Sequence, residues 1–300
     1  MAVRFRNYTQ QAGITDDYCK VRAFLVKLGY SEFVYARWDW MATHSYLDKS
    51  AVGKIGLWED NGLLVGIATF DTVLGNAYCL AFPDYSFLKK DMVIYSKSNL
   101  RGEKGFGIVI PDTDLLFQDI AAELGFIATP DKENDSVFYI DKTSTSYTLP
   151  SGFSITSMKD TYDRYKYRSV LWKGFNHELK GEGELKYSAE TDKEVDNEMI
   201  RPFVDLNLKI AVVNKEGDFV SYCGMWYEPE AGFAIIEPVA TDPAYRKMGL
   251  GKAAVLEGIK RVGQLGAKIA FVGSNQQFYY SIGLRPFAVS TVWVEHRNGY

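Results

Sequence analysis

The stretch EPVATDPAYRKMGLGKAAV, residues 237–255, holds the most informative turn of this chain. An apolar, strand-like run leads through Asp-Pro into a basic turn with two glycines, and a helix-like run follows. Because Gly249 and Gly251 carry no side chain, backbone N–H groups at the turn can closely approach a bound group. The helix directs its positive N-terminal end to the same place. Three cations add charge there: Arg246, Lys247 and Lys252.

A solvated surface turn is the simpler interpretation, and an isolated glycine-rich turn would favour it. Here the strand before the turn, the helix after it and the three cations agree with one another. The helix places Val255, Ile259 and Val262 on one face, and Gly266 is suited to end it. We therefore predict a pyrophosphate-binding turn between a strand and a helix.

The chain repeats itself in two halves, separated by the Ser- and Thr-rich stretch DKTSTSYTLPSG (141–152). Three pairs of similar segments occur in the same order and at a nearly constant offset. They are marked by two hairpin glycines (Gly62 and Gly217), two turn prolines (Pro83 and Pro243) and two later glycines (Gly125 and Gly283). Such agreement indicates an internal duplication. We predict an α/β (α+β) fold with two domains, at 1–142 and 147–300.

Composition argues against several classes of function. A net charge of −4 disfavours a general nucleic-acid-binding protein, which normally has a basic excess. The N-terminus lacks the apolar run of a signal peptide, and no stretch approaches the length of a membrane span. The three cysteines and three histidines are scattered without metal-ligand spacing. This pattern predicts reduced cysteines, no metal site and a cytoplasmic location.

The basic turn resembles a known signature. R-K-M-G-L-G, residues 246–251, matches the Arg/Gln-x-x-Gly-x-Gly/Ala acyl-CoA motif of the GNAT superfamily of N-acyltransferases. EPVATDPAY (237–245) is similar to that superfamily's fourth strand, and IAFVGSNQQFYYSIGLRPF (269–287) to its fifth strand and following helix. The resemblance implies two tandem GNAT-like domains, each with a mixed, mostly antiparallel sheet flanked by helices.

The first half departs from this pattern. FPDYSFLKKDMVIYSKSN (82–99) retains Pro83 and Tyr85, but no Gly-x-Gly follows, and Ala121 stands at the position that matches Tyr279. Without the glycines, Cβ atoms would occupy the space where phosphates must approach. The resemblance therefore implies that the first domain is a degenerate copy with a structural or substrate-shaping role.

The resemblance also implies that the second domain binds acetyl-CoA as a co-substrate and needs no metal. Its fourth strand would diverge from the fifth, with pantetheine in the gap. Asn275 is a further candidate for binding pantetheine or substrate, although it would equally serve as a helix cap. The implied acetyl-CoA-binding residues are Val239, Ala240, Thr241, Arg246, Lys247, Met248, Gly249, Leu250, Gly251, Lys252 and Asn275.

Two residues are candidates for the proton transfers of amine acetylation. An amine with a pKa of about 10.4 must lose a proton before it attacks. Glu237 lies in the apolar run AIIEPVA, where burial would strengthen it as a base. It would otherwise be a strand-end carboxylate paired with a cation. Tyr279 matches the position from which the superfamily protonates the departing thiolate, and its alternative role is that of a core aromatic residue.

The acceptor amine would bind near the end of a helix that is predicted to run to about Phe175. Trp172, Phe175, His177 and Tyr280 are the substrate-contacting candidates. Trp172 and Phe175 would otherwise belong to the core and His177 to a solvated loop, while Tyr280 is assigned to the pocket wall or the core. The acidic stretch 176–198 is predicted to be loop with a short exposed helix. The acidic residues of ELKGEGE (178–184) would attract a cationic amine, or would otherwise form only a solvated face.

Together these features predict an N-acetyltransferase that moves an acetyl group directly to a primary amine of a small molecule or peptide, within a ternary complex. A longer acyl donor stays open. The alternative is a non-catalytic acyl-CoA-binding or regulatory protein, and the presence of both Glu237 and Tyr279 favours the enzyme. A dinucleotide-binding Rossmann domain is excluded, because the motif follows a late strand and no acidic ribose-binding residue lies at the expected distance.

Overall fold

The computed structural model describes residues 3–141 and 145–296. They divide into two compact units, one within Met1–Asp135 and Phe287–Tyr300 and the other formed by Ser136–Pro286. Among the described helices, none combines the length and hydropathy needed to cross a bilayer. The same residues contain no cluster of three or more His, Cys, Asp or Glu side chains able to hold a metal ion.

The two halves of the chain contain the same order of elements. The first half contains β1 (Arg4–Asn7), α1 (Asp16–Leu28), α2 (Tyr35–Met41), β2 (Gly56–Asp60), β3 (Leu63–Asp71), β4 (Val73–Ala81), α3 (Lys89–Asn99), β5 (Gly107–Pro111), α4 (Leu115–Glu123) and β6 (Phe126–Tyr139). The second half contains β7 (Ser154–Ser157), α5 (Arg164–Gly174), α6 (Ala189–Met199), β8 (Lys209–Val213), β9 (Phe219–Tyr227), β10 (Phe233–Thr241), α7 (Leu250–Gln264), β11 (Ile269–Val272), α8 (Gln277–Ser281) and β12 (Arg285–Glu295). This repetition supports the predicted duplication.

Each unit contains a mixed sheet. In the first unit the strand order is β1-β2-β3-β4-β5-β12, and its paired neighbours are antiparallel apart from β4 and β5, which are parallel. In the second unit the order is β11-β10-β9-β8-β7, with the end of β6 paired to β11. Here β10 and β11 are parallel and the other pairs are antiparallel. The predicted fold class is confirmed.

The final strand of each half explains why the observed units differ from the predicted domains, 1–142 and 147–300. Residues 136–139 pair with β11 of the second unit, whereas residues 290–294 pair with β5 of the first. A boundary drawn from linker composition cannot detect such an exchange of strands. Residues 142–144 of the predicted linker lie outside the described residues.

The helix after the basic turn, α7, buries the apolar face that its sequence predicts. Val255, Ile259 and Val262 are fully buried in one cluster with side chains of β9 and β10. Burial of each side chain of this kind contributes about 1.5–3 kcal/mol. Gly266 follows the helix with a φ of 111°, in the left-handed region that favours glycine, as predicted.

The acidic segment predicted to be loop with a short exposed helix contains most of α6, which is 11 residues long and has a buried face. A capping box begins this helix, because the side chains of Ser188 and Thr191 each accept a hydrogen bond from the backbone N–H of the other. Val195 and Met199 are buried on its inner face. Two apolar residues four positions apart are too short a pattern to predict the length of this helix or its buried face among so many charges.

Candidate active site

A cleft in the second unit opens where β10 and β11 diverge. The two strands pair over Phe233–Ile235 and Ile269–Phe271, after which β10 continues to Thr241 without this neighbour. The cleft has a volume of about 710 Å³, within the range of about 300–1,000 Å³ that is common for ligand pockets. Its lining residues are Gly174, Phe175, Asn176, Val239, Thr241, Tyr245, Arg246, Lys247, Gly249, Leu250, Gly251, Lys252, Gln276, Phe278, Tyr279, Ser281 and Ile282.

A β-bulge shapes β10 beside the cleft. Its register with β9 shifts between Ile236 and Val239, on either side of a cis Glu-Pro peptide. Gly224 lies against this bulge, and a Cβ atom there would come within 2.5 Å of the Glu237 carbonyl oxygen. The indole Nε1 of Trp226 donates a hydrogen bond to the same oxygen over 2.9 Å. The bulge therefore requires a glycine on the neighbouring strand.

The start of α7 forms one wall of the cleft. Gly249 has a φ of 83°, in the left-handed region, and no side chain caps the helix. The first N–H groups of a helix have no acceptor within it, so those of α7 are available to an anion. Lys247 and Lys252 are exposed and line the same cleft. The predicted anion-binding components are therefore brought together.

Arg246, also predicted to bind the cofactor, is partly engaged by the protein itself. Its Nε donates to the carbonyl of Thr241 over 3.1 Å. Its Nη2 donates to the carbonyl of Gly174 over 2.8 Å and to Oδ1 of Asn176 over 2.6 Å. The guanidinium thus ties the basic turn to the end of α5, and this positioning role was not predicted.

Gly251 is needed for packing as well as for access. A Cβ atom at this position would lie 3.0 Å from Oγ1 of Thr241 and 3.4 Å from the ring of Phe278. The first distance is tighter than almost all real Cβ contacts. The sequence predicted that the absent side chain gives a ligand room to approach. The fold adds a second reason, since a side chain here would also collide with its neighbours.

Tyr279 lies in the cleft wall on α8 and is 8% exposed. Burial raises the pKa of its hydroxyl well above the usual range, and the negative charges of Cys223 (when ionised) and Glu237 raise it further. Among the described residues this hydroxyl has no hydrogen-bond partner. It therefore remains protonated at neutral pH and is available to a bound group.

Glu237 is half-buried and is not among the residues that line the cleft. Its charge is a minor cause of the raised pKa of Tyr279, after burial and Cys223. A carboxylate and a protonated phenol are the chemical groups that could take and give the protons of an acyl transfer. The catalytic assignments of both residues stay predictions.

The remaining candidates for the cofactor site, Ala240, Met248 and Asn275, do not line the cleft. Ala240 is buried, and its carbonyl accepts a hydrogen bond from Ser221 over 3.1 Å. Met248 is exposed on the turn. Asn275 is exposed in the loop after β11, while Gln276 beside it lines the cleft.

The acceptor candidates Trp172, His177 and Tyr280 also lie outside the lining residues. The rings of Trp172 and His177 stack on each other, with centroids 4.2 Å apart. Trp172 donates to the carbonyl of Gly183, and Nδ1 of His177 lies 2.9 Å from a carboxylate oxygen of Glu182. These two residues therefore hold the loop after α5 together, while Tyr280 is half-buried on α8.

Several lining residues were not predicted: Gly174, Asn176, Tyr245, Gln276, Phe278, Ser281 and Ile282. Phe175, which the sequence did suggest as an acceptor-contacting residue, also lies in the wall. Asn176 has a φ of 66°, and asparagine is enriched in this left-handed conformation. That preference is a signal in the sequence for a tight turn at the cleft edge.

Residues 172–283 match the family model described as Acetyltransferase (GNAT) family. Curated proteins gave no match to the chain. A tandem GNAT protein from the clavulanic acid biosynthesis pathway is similar in structure, with a TM-score of 0.61 and 11% identity over 97% of this chain and 98% of that one. A GCN5-related N-acetyltransferase from Sphaerobacter thermophilus has a TM-score of 0.59 and 13% identity, over 97% of this chain and 94% of that one. A GNAT-family acetyltransferase from Colwellia psychrerythraea has a TM-score of 0.58 and 11% identity, over 97% of this chain and 100% of that one.

Proposed function

We propose that the second unit is an acetyl-CoA-dependent N-acetyltransferase, because residues 172–283 match the GNAT acetyltransferase family model. It transfers the acetyl group directly to a primary amine of a small molecule or peptide, within a ternary complex. One observation carries the proposal: the left-handed turn at Gly249 and the buried hydroxyl of Tyr279 line the same cleft.

The cleft residues fit acetyl-CoA, which would supply an acetyl group activated as a thioester. The free N–H groups at the start of α7, with Lys247 and Lys252, suit a pyrophosphate. Beyond Ile235 the edge of β10 has no partner strand on the β11 side. The carbonyls of Glu237, Ala240 and Thr241 already accept hydrogen bonds within the chain. The other backbone groups on this edge are available to the amides of pantetheine and to the thioester carbonyl.

Glu237 and Tyr279 divide the proton transfers in this proposal. Glu237 takes the amine proton, directly or through water. Tyr279 stays protonated at neutral pH, because burial raises its pKa, and gives its proton to the departing thiolate. Holding both substrates beside these groups supplies much of the remaining rate acceleration.

Turnover of acetyl-CoA with a panel of amines tests the enzyme against the alternative, a non-catalytic acyl-CoA-binding protein. The panel contains polyamines, amino acids, peptides with free N-termini and aminoglycosides, and thiol release is measured with the amine product identified by mass spectrometry. We expect at least one amine to be acetylated. Tight binding of acetyl-CoA without turnover on every amine would favour the alternative.

Acetyl-CoA is expected to bind with a stoichiometry of one per chain, in the second unit. In the first unit a 3-10 helix, Pro83–Leu88, runs directly into α3, and the N–H of Lys89 donates to the carbonyl of Ser86. Residues 83–89, all described by the structure, include no glycine. The start of this helix therefore lacks the left-handed turn that Gly249 gives to α7. Calorimetric titration measures the stoichiometry, and two equivalent sites would contradict the assignment of the first copy as degenerate.

A further inference from the structure

The first unit contains its own cleft where its parallel strands diverge. β4 and β5 pair at Asn76–Gly107 and Ala77–Ile108, and both strands then continue without pairing to each other. A cleft of about 500 Å³ lies at their ends. Because β4 and β5 match β10 and β11 in the repeated element order, this cleft is the counterpart of the proposed acetyl-CoA cleft. Its lining residues include Leu28, Tyr30, Glu32, Lys89, Asp112 and Phe287.

The positive charge at this cleft is already neutralised. The ammonium of Lys89 forms an ion pair with Asp114 and lies 4.5 Å from the ring centre of Phe117. Asp112 pairs with Lys132 over 3.0 Å. With the start of α3 also occupied by internal hydrogen bonds, the cleft offers no free cationic group or helix end to a phosphate.

Glu32 adds a carboxyl group whose charge is only partly offset, by a backbone hydrogen bond and by the charge of Lys89. Its carboxylate forms no ion pair among the described residues, although it lines the cleft. Burial raises the pKa of Glu32 to about 7, and the nearby carboxylates Asp114 and Glu133 raise it while Lys89 lowers it. The Cys79 thiol in the same wall has a pKa raised to about 12 by burial, so it is neutral.

More carboxylates lie behind this wall. Glu133 accepts a hydrogen bond from Tyr78 over 2.9 Å, and Asp135 accepts one from Tyr30 over 2.6 Å. Burial raises the pKa of both carboxyl groups. A positive charge placed in the cleft would relieve the desolvation and repulsion that these groups share.

Much of the remaining lining is apolar, and three hydroxyl side chains, those of Ser31, Thr113 and Ser290, complete it. The apolar residues are Leu28, Leu80, Ala81, Pro111, Phe287, Ala288 and Val289. The ring of Phe287 also packs edge-on against Tyr30, with centroids 4.9 Å apart. A hydrocarbon chain or ring would fit beside these side chains, with its charged end at Glu32.

We propose that the cleft of the first unit binds an organic cation, a primary ammonium group on an apolar body, with the carboxylate of Glu32 as its counterion. The two copies of the fold would then use matching clefts for ligands of opposite charge. This proposal does not depend on acetyl transfer by the second unit.

Three probes of similar shape test the charge preference: n-hexylammonium, 1-hexanol and hexanoate. Each is titrated by calorimetry into the full chain, into Glu32→Gln and into Asp119→Asn, which alters an exposed carboxylate on α4. Hexylammonium should bind the parent and Asp119→Asn alike, and about ten- to hundredfold more weakly to Glu32→Gln, as expected for loss of a charge-assisted hydrogen bond. Equal binding of hexanoate, or no effect of Glu32→Gln, would overturn the proposal.

The pH dependence separates this site from any amine site in the second unit. Free Glu32 is partly protonated near pH 7, whereas the ammonium, with a pKa of about 10.4, stays charged. Affinity for hexylammonium should therefore rise between pH 6 and pH 8 in the parent and stay flat in Glu32→Gln. Because burial disfavours the carboxylate, Glu32→Gln should melt no lower than the parent at pH 8. A flat parent profile would exclude Glu32 as the counterion.

Discussion

The Gly249→Val variant is expected to bind acetyl-CoA at least about a hundredfold more weakly than the parent, since loss of two hydrogen bonds to a charged group accounts for such a change. Gly249 has a φ of 83°, which a β-branched residue does not adopt without strain. The turn would have to rearrange, and the N–H groups at the start of α7 would no longer converge on one point. Calorimetry on folded protein gives the affinity.

Gly62→Val provides the matched control for backbone strain. Gly62 has a φ of 81° in the hairpin between β2 and β3, and as at Gly249, nothing lies within 4 Å of an added Cβ. Both variants should lose a similar amount of thermal stability, whereas Gly62→Val should keep the parental affinity for acetyl-CoA. If folded Gly249→Val keeps the parental affinity for acetyl-CoA, the turn is not the pyrophosphate site.

The Gly251→Ala variant tests the second glycine of the turn. Gly251 does not have a positive φ, so alanine adds a methyl group there without straining the backbone. Its methyl group would press on Oγ1 of Thr241, 3.0 Å away, and on the ring of Phe278. Both neighbours line the cleft, so affinity should fall even though the added atom is packed inside the protein. A normal affinity with lowered stability would mean that Gly251 serves packing alone.

The part of the site that sequence predicts best is local in the chain. The glycine turn, the cations and the helix after them lie within residues 237–255, so their spacing alone specifies how they meet. Tyr279 lies farther along, but the resemblance to a known motif placed it in the same cleft. The duplication and fold class also follow from repeated short segments.

Long-range contacts limit the rest of the prediction. Arg246 contacts Gly174 and Asn176, some seventy positions away, and only the folded chain reveals this. The stacking of Trp172 on His177 likewise depends on how the loop after α5 folds back. The exchange of the final strands is invisible to composition, because either sheet can accept an apolar strand.

Glu237→Gln is expected to lower kcat by about 10²–10⁴-fold, the usual range for a general acid–base group. The amide keeps the shape of the side chain and removes the base, so the acidic limb of the pH–rate profile should flatten. The defect should shrink at high pH, where the free amine becomes plentiful. Glu230→Gln, which changes an exposed carboxylate just before β10, is the control and should keep the parental profile.

Tyr279→Phe should slow turnover while leaving the affinity for acetyl-CoA nearly unchanged, because it removes one proton and keeps the ring. The defect should be smaller for acyl donors whose thiol has a lower pKa, since these thiolates leave without a proton. Tyr139→Phe, at an exposed tyrosine of β6, is the control. If Glu237→Gln and Tyr279→Phe both keep the parental rate on the true acceptor, other groups carry out the two proton transfers.

The double variant tests whether the two groups act as a unit. Burial is the main cause of the raised pKa of Tyr279, and the charge of Glu237 is a smaller one, so Tyr279 should stay protonated at neutral pH in Glu237→Gln. If both groups serve one step, the losses in kcat should combine to less than their product. Strictly multiplicative losses would mean that the two side chains act independently.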